Sequence, residues 1–419
     1  LPFSSPYKGY GVAILMALVH MLSVGQRFLL SILIEPIKID LHLGDATIGI
    51  LQGPAIAIVG GLAMIPMILL ARRWPLARLL AVGLMGSSVA TIACGLAKTD
   101  QMLAAARMLL GLMQAAIGPA AIGLIVAAMT PAHRGRGISL FTAGAALGRG
   151  SALIGGGALL ALFASLGGTV DPWRMVFVTA GAIGLPLSLL LLRLAEPVDR
   201  PEGKAVRMGA AWRHMIADRP ALLPHILAAL CAVLLAQSLT SWAASLLIRL
   251  HRLSPLEAGL WVGLVMMLAG AVGHGLGGVL ADRWGRGASA SMLLGLALGT
   301  LALWPLTRSE ALAGAVIALG GATIGLSIAL AGGLIGLQAR MPAALRVEGT
   351  AIFLTLVTLF GTALGPWAVG TASQAIAGPT GLADAIGRVL GATGLIGCAA
   401  AWMAMRSASS PLPWTGGEG

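Results

Sequence analysis

Three arginines stand inside apolar helical runs of this 419-residue chain: Arg27, Arg107 and Arg149. An ionisable group at membrane depth is costly and marks a functional position by default. Arginine keeps its charge at physiological pH, and its planar fork matches the paired oxygens of a carboxylate or phosphate. All 15 acidic residues fall in loops, at helix ends or in tails, so no carboxylate within a run neutralises the three cations. Buried cations without buried carboxylates point toward an anionic ligand and away from ordinary carboxylate-based proton coupling.

Each arginine has polar company. In the first run His20, Ser23, Arg27 and Ser31 are spaced to share one helix face, with Gln26 beside Arg27. In the fourth, Arg107, Gly111, Gln114 and Gly118 repeat that spacing, and the glycines admit a neighbouring helix or a ligand. Arg149 is set between Gly148 and Gly150 in the middle of the fifth run. The competing structural reading has each arginine bonding helix carbonyls and glutamines, or reaching to an interface. The second half offers milder polarity: Gln237, Ser238, Ser241, Trp242 and Ser245 on the seventh run, His274 on the eighth, and Thr355, Thr358 and Thr362 on the eleventh. Serine and threonine in membrane helices commonly bond backbone or partner helices, and His20 and His274 read more simply as packed residues than as proton carriers. Together these residues describe a cavity with cations on one wall and hydroxyls, leucines and methionines on the other. The expected substrate-binding set is Gln26, Arg27, Arg107, Gln114, Arg149, Gln237, Ser241, Trp242, His274, Thr358 and Thr362.

The elements that must hold these residues are membrane helices. Charged residues are only 10% of the chain, against about 25% in soluble domains, and the apolar runs often exceed the roughly 20 residues a helix needs to span. The runs predict twelve spans, at about 11–34, 47–70, 78–97, 102–129, 137–164, 174–194, 222–249, 256–281, 288–307, 310–339, 348–375 and 383–405. The fold class expected is all-α integral membrane, with two pseudo-symmetric six-helix bundles. Residues 1–194 form the first bundle, 195–221 a cytoplasmic linker containing Pro, Gly and mixed charge, 222–406 the second bundle, and 407–419 a tail. The first run is too long and too polar for a signal peptide, and a start at Leu1 reads as a trimmed N-terminus. Net charge is +12, but Lys and Arg concentrate in the even-numbered connections and tails, so the surplus is a topology signal. By the positive-inside rule both termini are cytoplasmic, in the cell inner membrane. Nucleic acid is not an expected partner; the bilayer and a small-molecule or lysolipid substrate are, and the chain is expected to act as a monomer. Cys94, Cys231 and Cys398 lie in three different runs with no metal or disulfide spacing, and no cofactor or metal is expected.

The halves echo each other at one offset. Leu43 through Gly49 and Ala71-Arg72-Arg73-Trp74 each fall 210 positions before Leu253 through Gly259 and Ala281-Asp282-Arg283-Trp284. Such duplication marks secondary transporters built from two bundles around a midplane site. Gly278 through Arg286, read as G-x-L-A-D-R-x-G-R, resembles the cytoplasmic-loop signature of the major facilitator superfamily, and Arg107 with Gly111 resembles its fourth-helix motif. Pro119-Ala120, Pro131 through Arg136, Gly144 through Gly148, Pro172-Trp173-Arg174, Leu253-Ser254 with Ala258-Gly259, and Gly361 through Pro366 are similar to the spinster-like branch. The resemblance implies a twelve-helix rocker-switch carrier with an amphipathic anionic substrate, such as a lysophospholipid or sphingoid phosphate. Where that branch has titratable acids this chain has Gln26 and Gln114, and in the first-half loop Ile68, Arg72 and Leu76 replace the signature residues, so the family's proton coupling does not transfer.

The loop signature implies gating residues. Asp282 is expected to approach the start of span five and Arg134 or Arg136, alongside Arg283 and Arg286, while Arg72 removes the matching first-half latch and Glu348 compensates by pairing with Arg72 or Arg73. The leading expectation is a carrier of an amphipathic organic anion, driven by facilitated diffusion, exchange or unusual proton coupling. Its alternatives are a drug or aromatic-acid exporter of the same fold, and a receptor-like degenerate carrier that binds without transporting. An enzyme fits least, since no span carries paired carboxylates, a His/Cys cluster or a nucleophile with its base. A channel fits poorly as well, because two dissimilar halves make no symmetric ring.

Overall fold

The computed structural model describes residues 6–130, 133–194, 208–283, 287–376, 378 and 380–407, without the side chains of 6–8 and 282. Twelve of its helices are long and apolar enough to cross a membrane. In the first half they are α1 (Gly9–Ile32), α2 (Asp45–Arg73), α3 (Leu76–Leu96), α4 (Asp100–Ala128), α5 (Arg134–Leu166) and α6 (Pro172–Leu191). In the second they are α7 (Arg219–His251), α8 (Pro255–Ala281), α9 (Gly287–Arg308), α10 (Leu312–Arg340), α11 (Ala343–Ile376) and α12 (Gly381–Ser407). Hydrocarbon offers the backbone no water, so each crossing segment satisfies its own N–H and C=O groups by forming a helix. Twelve crossings leave the start of α1 and the end of α12 on one face, termed here the terminal face; the α1–α2 connection lies on the far face.

The predicted spans coincide with these helices to within a few residues. Several helices begin earlier than their apolar runs: α2 at Asp45, α7 at Arg219 and α11 at Ala343. The apolar run marks the hydrocarbon crossing, whereas the helix continues into the interface, where long basic side chains keep their heads in water. Two short helices lie outside the spans, Ile34–Leu41 on the far face and Met208–Ala217 within the expected linker.

Within the first half α1 packs on α5, α2 on α4 and α3 on α6; within the second, α8 and α9 pack on α10, and α7 and α9 on α12. Two pairs make the most extensive contacts between the halves, α2 with α11 and α5 with α8. Glycines set both seams. A Cβ at Gly53 of α2 would lie 2.3 Å from the Ala363 carbonyl oxygen of α11, and one at Gly259 of α8 would lie 2.3 Å from that of Leu153 on α5. Backbone therefore meets backbone, the close approach that small residues permit between membrane helices. The buried core follows the seams. Leu30, Leu33, Ile37, Ile48 and Leu51 form one cluster with Trp242, Leu246, Leu247 and Ala258, so the halves share a core in their far portion. Toward the terminal face, Val12, Met16, Leu80, Leu124 and Phe141 belong to a separate cluster drawn from the first half alone.

Candidate functional site

Two breaks in helix regularity set the first requirement. The α-helical part of α1 ends at Phe28 and tightens into a 3₁₀ turn, and α2 breaks at Gly53 ahead of Pro54. Carbonyls in the last turn before such breaks lose their in-helix donors. Arg107 of α4 supplies replacements. Its Nε donates to the Leu51 carbonyl at 3.1 Å and a terminal nitrogen donates to the Arg27 carbonyl at 3.0 Å. The residue is 1% exposed. Arg107 thus fulfils the structural alternative raised from sequence, and it lines neither of the two cavities described next.

Arg27 is placed differently. Its Nε donates to Gln114 Oε1 at 2.9 Å, and Gln114 Nε2 donates to the Ser23 carbonyl at 2.6 Å. The amide orients the guanidinium and leaves its charge uncompensated. His20 stacks on Phe141 at 4.0 Å, with Nδ1 2.8 Å from the Phe141 carbonyl oxygen; a carbonyl only accepts, so that nitrogen carries the hydrogen. His20, Ser23, Arg27 and Gln114 form one wall of a cavity of about 970 Å³. The remaining walls are aliphatic: Ile56, Met64, Ile65, Ile68 and Leu69 from α2, Ile117, Ile122 and Val126 from α4, and Val347 and Leu354 from α11. Thr358 also borders it, and Arg72, Glu348 and Met208 lie at its terminal end.

Arg149 and His274 line a second cavity, of about 30 Å³, among α5, α7, α8 and α10. Its other walls include Thr240, Met266, Thr323 and Ser327. The remaining expected ligands go elsewhere. Gln26 turns toward α3 and donates to Ser88 Oγ at 3.0 Å. Ser31 donates to Gln52 at 2.9 Å, and Gln52 donates to the Ser241 carbonyl at 3.1 Å, tying α1 and α2 to α7. Trp242 Nε1 donates to the Pro366 carbonyl at 3.0 Å, and Gln237 lies 3.5 Å from the Thr362 hydroxyl. Gln26, Gln237, Ser241, Trp242 and Thr362 therefore serve helix packing and border neither cavity. The polar stripe on α7 reads from sequence as a cavity wall because a periodic face does not say whether a helix or a lumen lies opposite.

The far face holds a charge cluster that sequence reasoning missed. Arg249, near the end of α7, places its fork on Asp45 at the start of α2, with Nη1 and Nη2 2.7 and 2.8 Å from the two carboxylate oxygens. Its Nε donates to Glu35 at 2.9 Å. Lys38 and the Ser373 hydroxyl of α11 also bind Asp45, and the Ala46 amide donates to Gln374 at 3.0 Å. Asp45 is 7% exposed. The signal was available: the topology leaves few cations on the far face, and Lys38 and Arg249 are two of them, on the same side as Glu35 and Asp45.

On the terminal face Arg134 Nε donates to the Val126 and Met129 carbonyls at 3.1 and 3.3 Å, closing the end of α4. Arg136 and Arg283 are exposed. The Asp282 side chain and Arg286 lie outside the described residues.

The geometry is that of two helical halves sealed at one face, with a lumen toward the other. A family model described as Major Facilitator Superfamily matches residues 16–366. An MFS-type efflux pump of Mycolicibacterium smegmatis is 28% identical over 412 residues, 95% of this chain and 93% of that protein. The puromycin resistance protein pur8 of Streptomyces alboniger is 30% identical over 207 residues, 48% of this chain and 38% of that one. Among solved structures, a bacterial homologue of the human lysosomal transporter Spinster, inward-facing and unoccupied, superposes with a TM-score of 0.84 at 24% identity, covering 97% of this chain and 98% of the other. Twelve spans, two glycine-lined seams between halves and a match over most of the sequence lead to one conclusion: the chain belongs to the Major Facilitator Superfamily.

Proposed function

We propose that this transporter exports bulky, largely apolar small molecules, neutral or anionic, by alternating access. The observation that carries this reading is the 970 Å³ cavity, aliphatic on most of its surface, with Arg27 as the charged group at its inner end. That volume is at the upper end of sites for drug-sized ligands, roughly 300–1,000 Å³. The names of the M. smegmatis and S. alboniger relatives, an efflux pump and a resistance protein, support export of such compounds. The positive-inside rule makes the terminal face cytoplasmic, so the cavity faces the cytoplasm while Asp45 and Arg249 hold the outer side shut. Arg27 acts as the anion-preferring anchor and the α2, α4 and α11 side chains as the apolar bed.

A second reading has one specific observation in its favour. A guanidinium at the head of an aliphatic cavity also suits a single-chain anionic lipid, the cargo implied by the spinster-like motifs. Inside-out vesicles separate the two. Protein-dependent uptake of an anionic naphthalene-sulfonate dye and of the neutral antibiotic chloramphenicol, with lysophosphatidylglycerol unmoved, is the expected result. Transport of the lysolipid alone, or of none of the three, overturns the export reading.

A further inference from the structure

The second cavity has a separate use. Gly148 and Gly150 fix where Arg149 stands. A Cβ at Gly148 would lie 2.4 Å from the Met21 carbonyl oxygen of α1, and one at Gly150 would lie 2.8 Å from that of Gly263 on α8. The α5 backbone is thus pinned between α1 of its own half and α8 of the other, and Arg149 projects from the pinned turn. Its guanidinium makes no hydrogen bond or ion pair with any described residue. It shares the lining of this cavity with His274.

The groups around it are mostly committed. The Thr240 and Thr323 hydroxyls donate to the carbonyls of Ala236 and Leu319 at 2.8 and 2.7 Å, and His274 Nδ1 lies 2.9 Å from the Gly270 carbonyl oxygen. The donors left over among the lining residues are the Arg149 guanidinium and the Ser327 hydroxyl, which bonds no described residue. A cation at membrane depth with spare donors and no carboxylate partner attracts a counter-ion. The space of about 30 Å³ admits one or two water-sized species. That is the size class of a halide ion and far below the cargo of the larger cavity, with which this one shares no lining residue.

We infer that Arg149 and Ser327 form a binding site for a small monovalent anion, chloride in the cell, at the α5–α8 junction of the two halves. The bound ion neutralises Arg149 and bridges α5 to α10. This inference goes beyond the export reading and stands or falls without it, because its test needs no transported cargo. A ligand that binds only the folded protein raises its melting temperature. The purified protein in non-ionic detergent should melt higher in sodium chloride than in sodium gluconate at equal ionic strength, since gluconate is too large for the pocket. The shift should saturate with chloride and vanish in Arg149→Gln. Radiolabelled chloride should bind at one site per chain. Ser327→Ala keeps the guanidinium and should raise the chloride concentration at half-maximal shift several-fold, which preserves the test if Arg149→Gln does not fold. Equal melting in the two salts, a chloride shift that persists in Arg149→Gln, or an unchanged midpoint in Ser327→Ala overturns the site. Displacement of labelled chloride by the anionic dye also overturns it, by making the pocket a head-group site of the cargo.

Discussion

The three arginines share a residue type and a depth, and the structure gives them three different occupations. Arg107 repairs carbonyls orphaned at the breaks of α1 and α2. Arg107→Leu should leave both unpaired, at about 1–3 kcal/mol each. A lower melting temperature in lipid nanodiscs would register it, and an unchanged one would mean the breaks find other donors. Arg27 is the cation that lines the larger cavity and the one proposed to meet the cargo, and its amide partner makes a sharper test than deletion. Gln114→Glu puts a carboxylate where Oε1 now lies 2.9 Å from Arg27 Nε, and an opposite charge there competes with an anionic cargo. One charge-assisted hydrogen bond is worth about 1.5–3 kcal/mol, so the Kd of an anionic dye should rise roughly 10- to 100-fold, while that of a neutral compound should move far less. Equal weakening of both would remove Arg27 from recognition. Sequence showed that these residues were exceptional, because charge in an apolar run stands out. It did not separate their roles, because helix breaks at Gly53 and Phe28 create the need for Arg107, and backbone breaks leave little trace in hydropathy.

At the scale of helices, the apolar runs located all twelve spans, because membrane solvation writes itself into composition. The seams were less visible. Gly49, Gly53, Gly150, Gly157 and Gly259 belong to a chain with 59 glycines, and only the fold shows which ones face the opposite half. Gly53→Leu would insert a side chain where the Ala363 carbonyl now lies 2.3 Å from a Cβ. It should hold α2 away from α11 and leave the far face open. Reagents applied from outside should then label a cysteine introduced at Ser373 faster than in the same background with Gly53 kept; Cys94 and Cys231 are buried, and the half-buried Cys398 is first replaced by Ser. Labelling at the original rate would show that the seam does not govern closure.

At the scale of the molecule, the proposed orientation, with the terminal face in the cytoplasm, accounts for the surplus of positive charge. A green fluorescent protein fused after Gly419 should fluoresce in cells, and alkaline phosphatase fused there should be inactive; the reverse would invert the assignment of faces. The far-face cluster has its own consequence for the working cycle. Glu35, Lys38 and Asp45 precede α2 or begin it, whereas Arg249 ends α7. When the halves part, the first carries away two carboxylates and one ammonium, and the second leaves with a lone guanidinium. The mouth of the opened transporter is therefore a capacitor, its two rims oppositely charged and drawn back together. Dissolved ions weaken that attraction beyond about 8 Å at physiological ionic strength, so the dwell time of the outward-open form should lengthen as external salt is raised.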